Sequence, residues 1–338
     1  MTTPMLPRDA LFDAGDAAPD IPVCDHYCGI ESRMRKSLAL QAELGAVFDV
    51  TLDCEDGAPI GGEAEHAAMV AEIALSAENR FGRVGARVHP LDHPAFASDV
   101  DTLVGRAGDR LAYLMLPKPR QLDDVARAIE HIDHVARTHG RRADLPLHAL
   151  IETHGALRDV QAIAALPRIE SLSFGLMDFV AAHRGAIPLM AMSAKGQFEH
   201  PLVVRAKLEI AAACHAAARV PSHCVVTEFN DAAALQAAAT RAAREFGYLR
   251  MWSIHPAQVR PIIEAFAPTV AEVDQAIEII RAAQAAQWAP IRHRHRGHDQ
   301  LHDRASYRYF WQLIERARRT GQPLPAEVER AFFGTEVH

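Results

Sequence analysis

Carboxylates close three apolar runs of this chain. The runs are Phe48-Asp49-Val50-Thr51-Leu52-Asp53-Cys54-Glu55-Asp56-Gly57, Leu147-His148-Ala149-Leu150-Ile151-Glu152-Thr153 and Leu172-Ser173-Phe174-Gly175-Leu176-Met177-Asp178. An apolar run that ends on an acid and precedes a helical pattern reads as a buried parallel strand whose end points into an active site. Several such ends on one rim gather hard oxygen ligands, the donors that hold Mg²⁺. Glu152 and Asp178, one αβ unit apart, form the best metal pair. Other strand ends add Arg87-Val88-His89-Pro90, Leu116-Pro117-Lys118 and Trp252-Ser253-Ile254-His255-Pro256. Arg87 offers a planar fork suited to a carboxylate or a developing oxyanion, and equally to an ion pair with Glu55 or Asp56. Lys118, between Pro117 and Pro119, suits a carboxylate or phosphate; a Schiff base is open to it but unnecessary beside metal carboxylates. Each acid alone has a plainer reading as a helix cap or solvated loop residue. Their recurrence at strand ends is what points to a site.

Eight apolar runs can position these residues, near 22–28, 47–53, 83–88, 111–116, 146–151, 170–174, 222–226 and 248–253. Helical patterns fall between them, near 32–44, 63–79, 121–139, 155–165, 198–219, 230–246 and 256–265, with a less regular stretch after the third strand. In 121–139, Leu122, Val125, Ala126, Ile129 and Ile132 share one side. Asp231 stands near the start of 230–246, where a helix dipole favours an acid. Eight strands alternating with helices predict an α/β fold, a (β/α)₈ TIM barrel. A doubly wound sheet is the competitor; it usually brings a glycine-rich phosphate turn, and no GxGxxG or GxxxxGK[ST] is present. The expected domains are an irregular arm over 1–21, a catalytic barrel over 22–290 and a C-terminal lid and helix over 291–338. The tail contains a helix near 269–287, a break at Trp288-Ala289-Pro290-Ile291, the basic run Arg292-His293-Arg294-His295-Arg296-Gly297-His298 and an amphipathic helix near 304–319 carrying Tyr307, Phe310, Trp311 and Ile314. Such a tail must pack somewhere, a neighbouring subunit included.

The totals exclude several classes. With 338 residues the chain suits one barrel plus an appendage, and a 49% hydrophobic content is ordinary for a globular protein. A formal charge of −7 argues against a nucleic-acid or anionic-membrane surface. Five scattered cysteines, at 24, 28, 54, 214 and 224, read as reduced thiols of a cytoplasmic protein. The first residues carry Asp9, Asp13 and Asp16 and no apolar stretch of a secretory signal. No apolar run approaches the ~18 residues of a membrane span.

In order and spacing, the motifs resemble the citrate lyase β-subunit and malyl-CoA lyase family of the HpcH/HpaI aldolase superfamily. The matching pieces are Leu52-Asp53-Cys54-Glu55-Asp56-Gly57, Arg87-Val88, Pro117-Lys118, Glu152-Thr153-His154-Gly155, Phe174-Gly175-Leu176-Met177-Asp178 and Ser253-Ile254-His255-Pro256-Ala257-Gln258-Val259, spanning roughly 25–285. The resemblance implies a TIM barrel that binds Mg²⁺ and cleaves or forms carbon–carbon bonds in β-hydroxyacyl-CoA thioesters. It implies Glu152 and Asp178 as Mg²⁺ ligands and Arg87 as the group that binds the thioester carbonyl and stabilises its enolate. Glu55 and Asp56 would then hold Arg87 and the metal's waters, while Lys118 and Ser253 would join Arg87 in binding the substrate. It also implies a catalytic aspartate from a C-terminal lid, best matched by Asp303 in Leu301-His302-Asp303; the plainer role for Asp303 is the N-cap of the helix that follows it. The partners implied are a small-molecule substrate, an acyl-CoA thioester, and further copies of the chain in a trimer or hexamer.

Three departures separate the chain from that pattern. His89-Pro90 follows Arg87-Val88 where members usually carry Asn. The N-terminal strand reads His26-Tyr27-Cys28-Gly29 where an aromatic-Val-Pro-Gly motif that helps bind CoA is usual. The segment after Asp178 is long and includes Met190 to Phe198. The basic run reads as a transition-metal site, as a lid facing substrate phosphates or as a solvated loop. Besides a lyase acting on citramalyl-, malyl- or citryl-CoA, two functions stay open. One is a metal-dependent aldolase on free 2-keto or hydroxy acids. The other is a non-catalytic acyl-CoA-binding paralogue or a subunit of a lyase complex.

Overall fold

Eight strands close into a parallel barrel in a computed structural model that describes residues 5–13, 19–295 and 298–334. They are β1 Cys24–Cys28, β2 Asp49–Asp53, β3 Val84–Arg87, β4 Leu114–Leu116, β5 Leu147–Ile151, β6 Ile169–Phe174, β7 Val220–His223 and β8 Arg250–Ser253. Each pairs in parallel with the next, and the ring closes through Cys24↔Met251, Asp25↔Trp252 and His26↔Ser253. Helices cover the outer faces, so these strands are buried on both sides and read as nearly unbroken apolar runs. The barrel interior is filled by Tyr113, Met115, Leu150 and Trp252, with Tyr27 and Val225 against them. Tyr113 is why β3 carries Gly85: a Cβ there would stand 2.2 Å from the phenol ring.

The surrounding helices are Glu31–Leu44, Glu63–Leu75, Phe96–Ala107, Leu122–Thr138, the pair His154–Arg158 and Val160–Ala164, Leu176–Ala181, Pro201–Ala216, Ala232–Arg244 and Val259–Phe266. Phe96–Ala107 stands where the sequence reading left a less regular stretch. Phe96, Val100, Leu103, Val104 and Ala107 give it a buried face, but its first residue has no side-chain cap to announce it. Strand β7 begins two residues before expectation because Pro221, which donates no ladder bond, is nonetheless within it, paired with Leu172. The expected helix 155–165 breaks at Asp159, whose carboxylate accepts the Leu122 N–H at 3.1 Å.

The barrel unit comprises Ile21–Phe266, and a second unit contains residues up to Asp20 together with those from Ala267 onward. The helix Val270–Ala285, placed with the barrel over 22–290 on sequence grounds, therefore belongs to the second unit. Its Val273, Ile277 and Ile280 share a core with Leu11, Trp311 and Ile314 of helix Arg304–Arg319. Within the expected irregular arm, Pro7–Leu11 is helical; residues 1–4 and 14–18 lie outside the described residues. The basic run, apart from Arg296 and Gly297, which also lie outside them, folds as an antiparallel hairpin, β9 Ile291–His295 with β10 His298–His302. Its Arg292 pairs with Asp299. All five cysteines are buried thiols. Among the described residues, no helix is long and apolar enough to cross a membrane.

Candidate active site

Strands β2 and β3 set the first pair of charges. Side chains alternate across a strand, so Asp49, Thr51 and Asp53 share one face of β2. Asp53 lies beside Arg87 in the β2–β3 register. The guanidinium grips Asp53 with both arms, Nε to Oδ1 at 2.7 Å and Nη2 to Oδ2 at 2.6 Å. Its third nitrogen, Nη1, is 2.9 Å from Oε2 of Glu55. Asp53 in turn accepts the backbone N–H groups of Glu55 at 2.9 Å and Gly57 at 2.7 Å. Gly57 permits that approach, since a Cβ would meet Oδ2 of Asp53 at 2.3 Å. Tyr27 supports the guanidinium from below, with its ring centre 4.5 Å away, and stacks on Trp252 at 5.1 Å.

This corrects one expectation. Asp53 and Glu55 hold Arg87, whereas Asp56 points to Lys118. The inward face of β2 ends at Asp53, and Asp56 is already in the loop beyond it. Asp53 stands at the strand end expected from the sequence but with a role, holding Arg87, that only the structure shows; Tyr27 is the site member that sequence reasoning does not find. The period-two pattern Asp49, Thr51, Asp53 is the sequence signal that sets Asp53 on the inward face.

Strand β4 delivers Lys118. Its ammonium is 2.5 Å from Glu55 Oε1, 2.6 Å from Asp56 Oδ2 and 3.8 Å from Asp178 Oδ1. Burial pulls its pKa down, but the hydrogen bonds to Asp56 and Glu55 outweigh burial and hold it above the ordinary lysine value. The same residue donates its backbone N–H to Glu152 Oε1 at 2.7 Å. Glu152 follows β5 and is only 3% exposed, while Asp178 lies in the first turn of Leu176–Ala181 and has a 43% exposed side chain. Gly175 makes the cradle between them: a Cβ would stand 2.0 Å from Glu152 Oε2. Burial, and then the negative charge of Asp178, push the Glu152 carboxyl up to about 8.

A buried carboxyl whose ionisation is opposed by a neighbouring carboxylate suits a cation. Among the described residues, no three His, Cys, Asp or Glu side chains gather as a ready-made metal cage. Two protein carboxylates with water and substrate oxygens in the remaining positions are what Mg²⁺ ordinarily takes, so the donor set fits that ion.

Two other predicted site residues have partners of their own. Ser253 is buried; its hydroxyl donates to the His255 carbonyl at 2.9 Å and lies 2.9 Å from His26 Nδ1. It therefore braces the end of β8 instead of presenting a free donor to a ligand. Burial first of all drives the His26 pKa down to about 4, which keeps that bracing imidazole neutral. Asp303 belongs to the second unit, where its Oδ1 caps helix Arg304–Arg319 by accepting the N–H groups of Ala305 at 3.1 Å and Ser306 at 3.2 Å. His89, the departure after Arg87, is tied to buried Asp99 by Nδ1 at 2.6 Å and by its backbone N–H at 3.0 Å.

Comparison with known proteins places this geometry. Residues 36–256 match the family model described as HpcH/HpaI aldolase/citrate lyase. A citrate lyase of Burkholderia xenovorans LB400 has a crystal structure that is 52% identical, with a TM-score of 0.83 over 97% of this chain and 99% of that one. The L-malyl-CoA/β-methylmalyl-CoA lyase of Cereibacter sphaeroides is 29% identical over 266 residues, 75% of this chain and 82% of the relative. The protein CitE of Mycobacterium tuberculosis, solved in complex with magnesium, acetoacetate and coenzyme A, shares the fold at 22% identity and a TM-score of 0.65 over 90% of this chain and 99% of that one. With residues 36–256 matched, most of the barrel, the chain belongs to the HpcH/HpaI aldolase/citrate lyase family of lyases.

Proposed function

We propose that this chain is a Mg²⁺-dependent carbon–carbon lyase that cleaves, or forms, a β-hydroxyacyl-CoA of the citramalyl, malyl or citryl type through an enolate. The observation that carries the reading is the placement of Arg87, Lys118, Glu152 and Asp178 at the ends of consecutive barrel strands, joined by contacts of 2.5 to 3.8 Å through Glu55 and Lys118. In C–C cleavage electrons flow from the hydroxyl oxygen through the breaking bond into the acyl thioester, so one fragment needs its hydroxyl activated and the other needs an electron sink. Glu152 and Asp178 are the residues that would hold Mg²⁺, which supplies Lewis-acid polarisation of the hydroxy-acid fragment.

Arg87 serves the other fragment. Its two arms are fixed by Asp53, so the remaining N–H groups are pre-oriented and can stabilise an enolate without reorganising. Glu55 links Arg87 to Lys118 and keeps the two cations at a set spacing. A base takes the hydroxyl proton in cleavage and the α-proton of the acyl thioester in the reverse direction. Asp303 carries that role in this reading, acting from its own subunit or from a neighbour in a trimer or hexamer.

Its capping role can be separated from its chemistry. Asp303→Ser keeps an N-cap side chain but removes the carboxylate. The expected result is an unchanged melting temperature and Mg²⁺ affinity with turnover at least ~100-fold slower; normal turnover would remove Asp303 from the mechanism.

The test of the whole reading is cleavage of malyl-, citramalyl- and citryl-CoA and of the corresponding free acids, each with Mg²⁺ and with EDTA. Metal-dependent cleavage of one thioester names the substrate. Cleavage of free acids alone would move the chain to the 2-keto-acid aldolases. No turnover with bound Mg²⁺ would leave a binding paralogue or a lyase-complex subunit.

A further inference from the structure

Lys118 is the residue through which the two candidate metal ligands communicate. Its φ is +50°, a left-handed conformation that costs a non-glycine residue strain, and prolines flank it on both sides. The strained backbone aims its N–H at Glu152, 2.7 Å away, while its side chain reaches Asp178 at 3.8 Å. One residue thus touches both carboxylates, one through the main chain and one through the ammonium. An ammonium has three donors. Two are held tightly, by Glu55 at 2.5 Å and Asp56 at 2.6 Å, and the loosest contact is the one to Asp178.

We propose that Lys118 is an internal counter-ion of the metal site: its ammonium competes with Mg²⁺ for Asp178, and the donor released when the metal binds is taken up by the carboxylate of the substrate. Metal and acid then bind synergistically, each making room or charge for the other. The inference rests on Glu152 and Asp178 as the Mg²⁺ ligands. The grip of Glu55 and Asp56 is what makes the exchange workable, because the side chain stays in place while only one donor changes partner. A plain tether for the loop after β2 would need neither the contact to Asp178 nor the strained φ.

The test is calorimetric titration of the full chain with Mg²⁺, alone and with pyruvate as the carboxylate probe, for the wild type, Lys118→Met and Lys118→Gly. Lys118→Met removes the charge and keeps the length; Lys118→Gly removes the charge and relieves the backbone. Removing a like charge beside the metal is expected to tighten Mg²⁺ binding about tenfold in both variants. Pyruvate is expected to strengthen Mg²⁺ binding several-fold in the wild type and not in the variants. Unchanged or weaker Mg²⁺ binding in both variants would reduce Lys118 to a tether while leaving the metal assignment standing. A wild type that binds no Mg²⁺ at millimolar concentration would overturn both.

Discussion

Two guanidinium–carboxylate clusters occupy opposite ends of the same barrel, and they are built for different purposes. At the strand starts, Arg250 of β8 is fully buried, 2.6 Å from Asp49 of β2 and 3.1 Å from Asp25 of β1. It also donates to the Pro22 carbonyl at 2.8 Å. Thr51 and Tyr113 close the cluster from above: the Thr51 hydroxyl donates to Asp25 at 2.7 Å and lies 2.7 Å from the Tyr113 hydroxyl. Arg83 adds a second guanidinium, 3.6 Å from Asp49. Asp25 and Asp49 thus face two guanidinium groups, and Glu170, which also feels both arginines, has His148 Nε2 at 2.9 Å. At the strand ends, five carboxylates (Asp53, Glu55, Asp56, Glu152 and Asp178) face Arg87 and Lys118. In the lower cluster each aspartate has a guanidinium within 3.1 Å. The upper one is short of positive charge, and the shortage falls on Glu152 and Asp178, which share the contacts of a single lysine. An ion pair inside a barrel is thus not in itself a sign of function; an unbalanced one open to the mouth is.

The largest effect that would test this contrast is on turnover. Glu152→Gln and Asp178→Asn are each expected to lower kcat by ~10³-fold or more while the circular dichroism stays native. Unchanged turnover in either variant would sink the metal assignment and, with it, the functional side of the comparison. The lower cluster should respond in the opposite way. Arg250→Met leaves Asp25 and Asp49 buried without their main cation and should cost about 3–5 kcal/mol of stability. For a unit of this size that corresponds to a drop of roughly 10 °C in Tm. The residual folded protein should keep wild-type KM for its substrate, because no group at the mouth has been altered. A small stability loss, or a large change in KM, would mean that the two ends are not independent.

Much of this was legible in the sequence, for a physical reason. Strands buried on both faces are mostly apolar, so the eight runs stand out, and an acid at the end of such a run is conspicuous. Glu152 and Asp178 are singled out that way, and Arg87 and Lys118 by standing at the ends of the neighbouring runs. Partner choice was harder to read. Glu55 and Asp56 are as acidic as Asp53, and only strand register decides that Asp53 lies beside Arg87. The strands Ile291–His295 and His298–His302 are not legible as strands, because arginine and histidine alternate through the basic run and leave no apolar side to mark one. The lower cluster was overlooked because Asp25, Asp49 and Arg250 are far apart in the chain and each looks like an isolated charge at the edge of an apolar run. Closure of the barrel is what brings strand eight against strand one.

A third test uses the missing cation directly. Mg²⁺ at about 100 times its Kd should stabilise the wild type by ~2.7 kcal/mol. The same gain is expected in Arg250→Met, although that protein starts from a lower Tm, and none in Glu152→Gln. Differential scanning fluorimetry with Mg²⁺ and EDTA would show it. An equal gain in Glu152→Gln would place the ion elsewhere.

The smallest effect is in the proton balance, and its sign follows from the Glu152 carboxyl. Burial and Asp178 raise its pKa from the ordinary 4.5 to about 8, so folding favours its protonated form. The stability contributed by that group is therefore fully present below pH 4.5 and is lost as the pH climbs through about 8. Mg²⁺ needs the carboxylate, so binding must expel the proton. Calorimetric titrations at pH 6.5 in buffers of different ionisation enthalpy should then report roughly one proton released per ion, falling toward none above pH 9. The apparent Mg²⁺ affinity should rise with pH over the same window and level off once Glu152 is ionised. Asp49 in the lower cluster is also raised by burial, with Arg250 opposing, but it lies at the other end of the barrel from Glu152, so Arg250→Met should leave the Mg²⁺-linked proton release untouched. No proton release in the wild type would mean that Glu152 is already ionised by its neighbours. The upper cluster would then hold its charges without a metal, and its carboxylates would no longer point to a Mg²⁺ site.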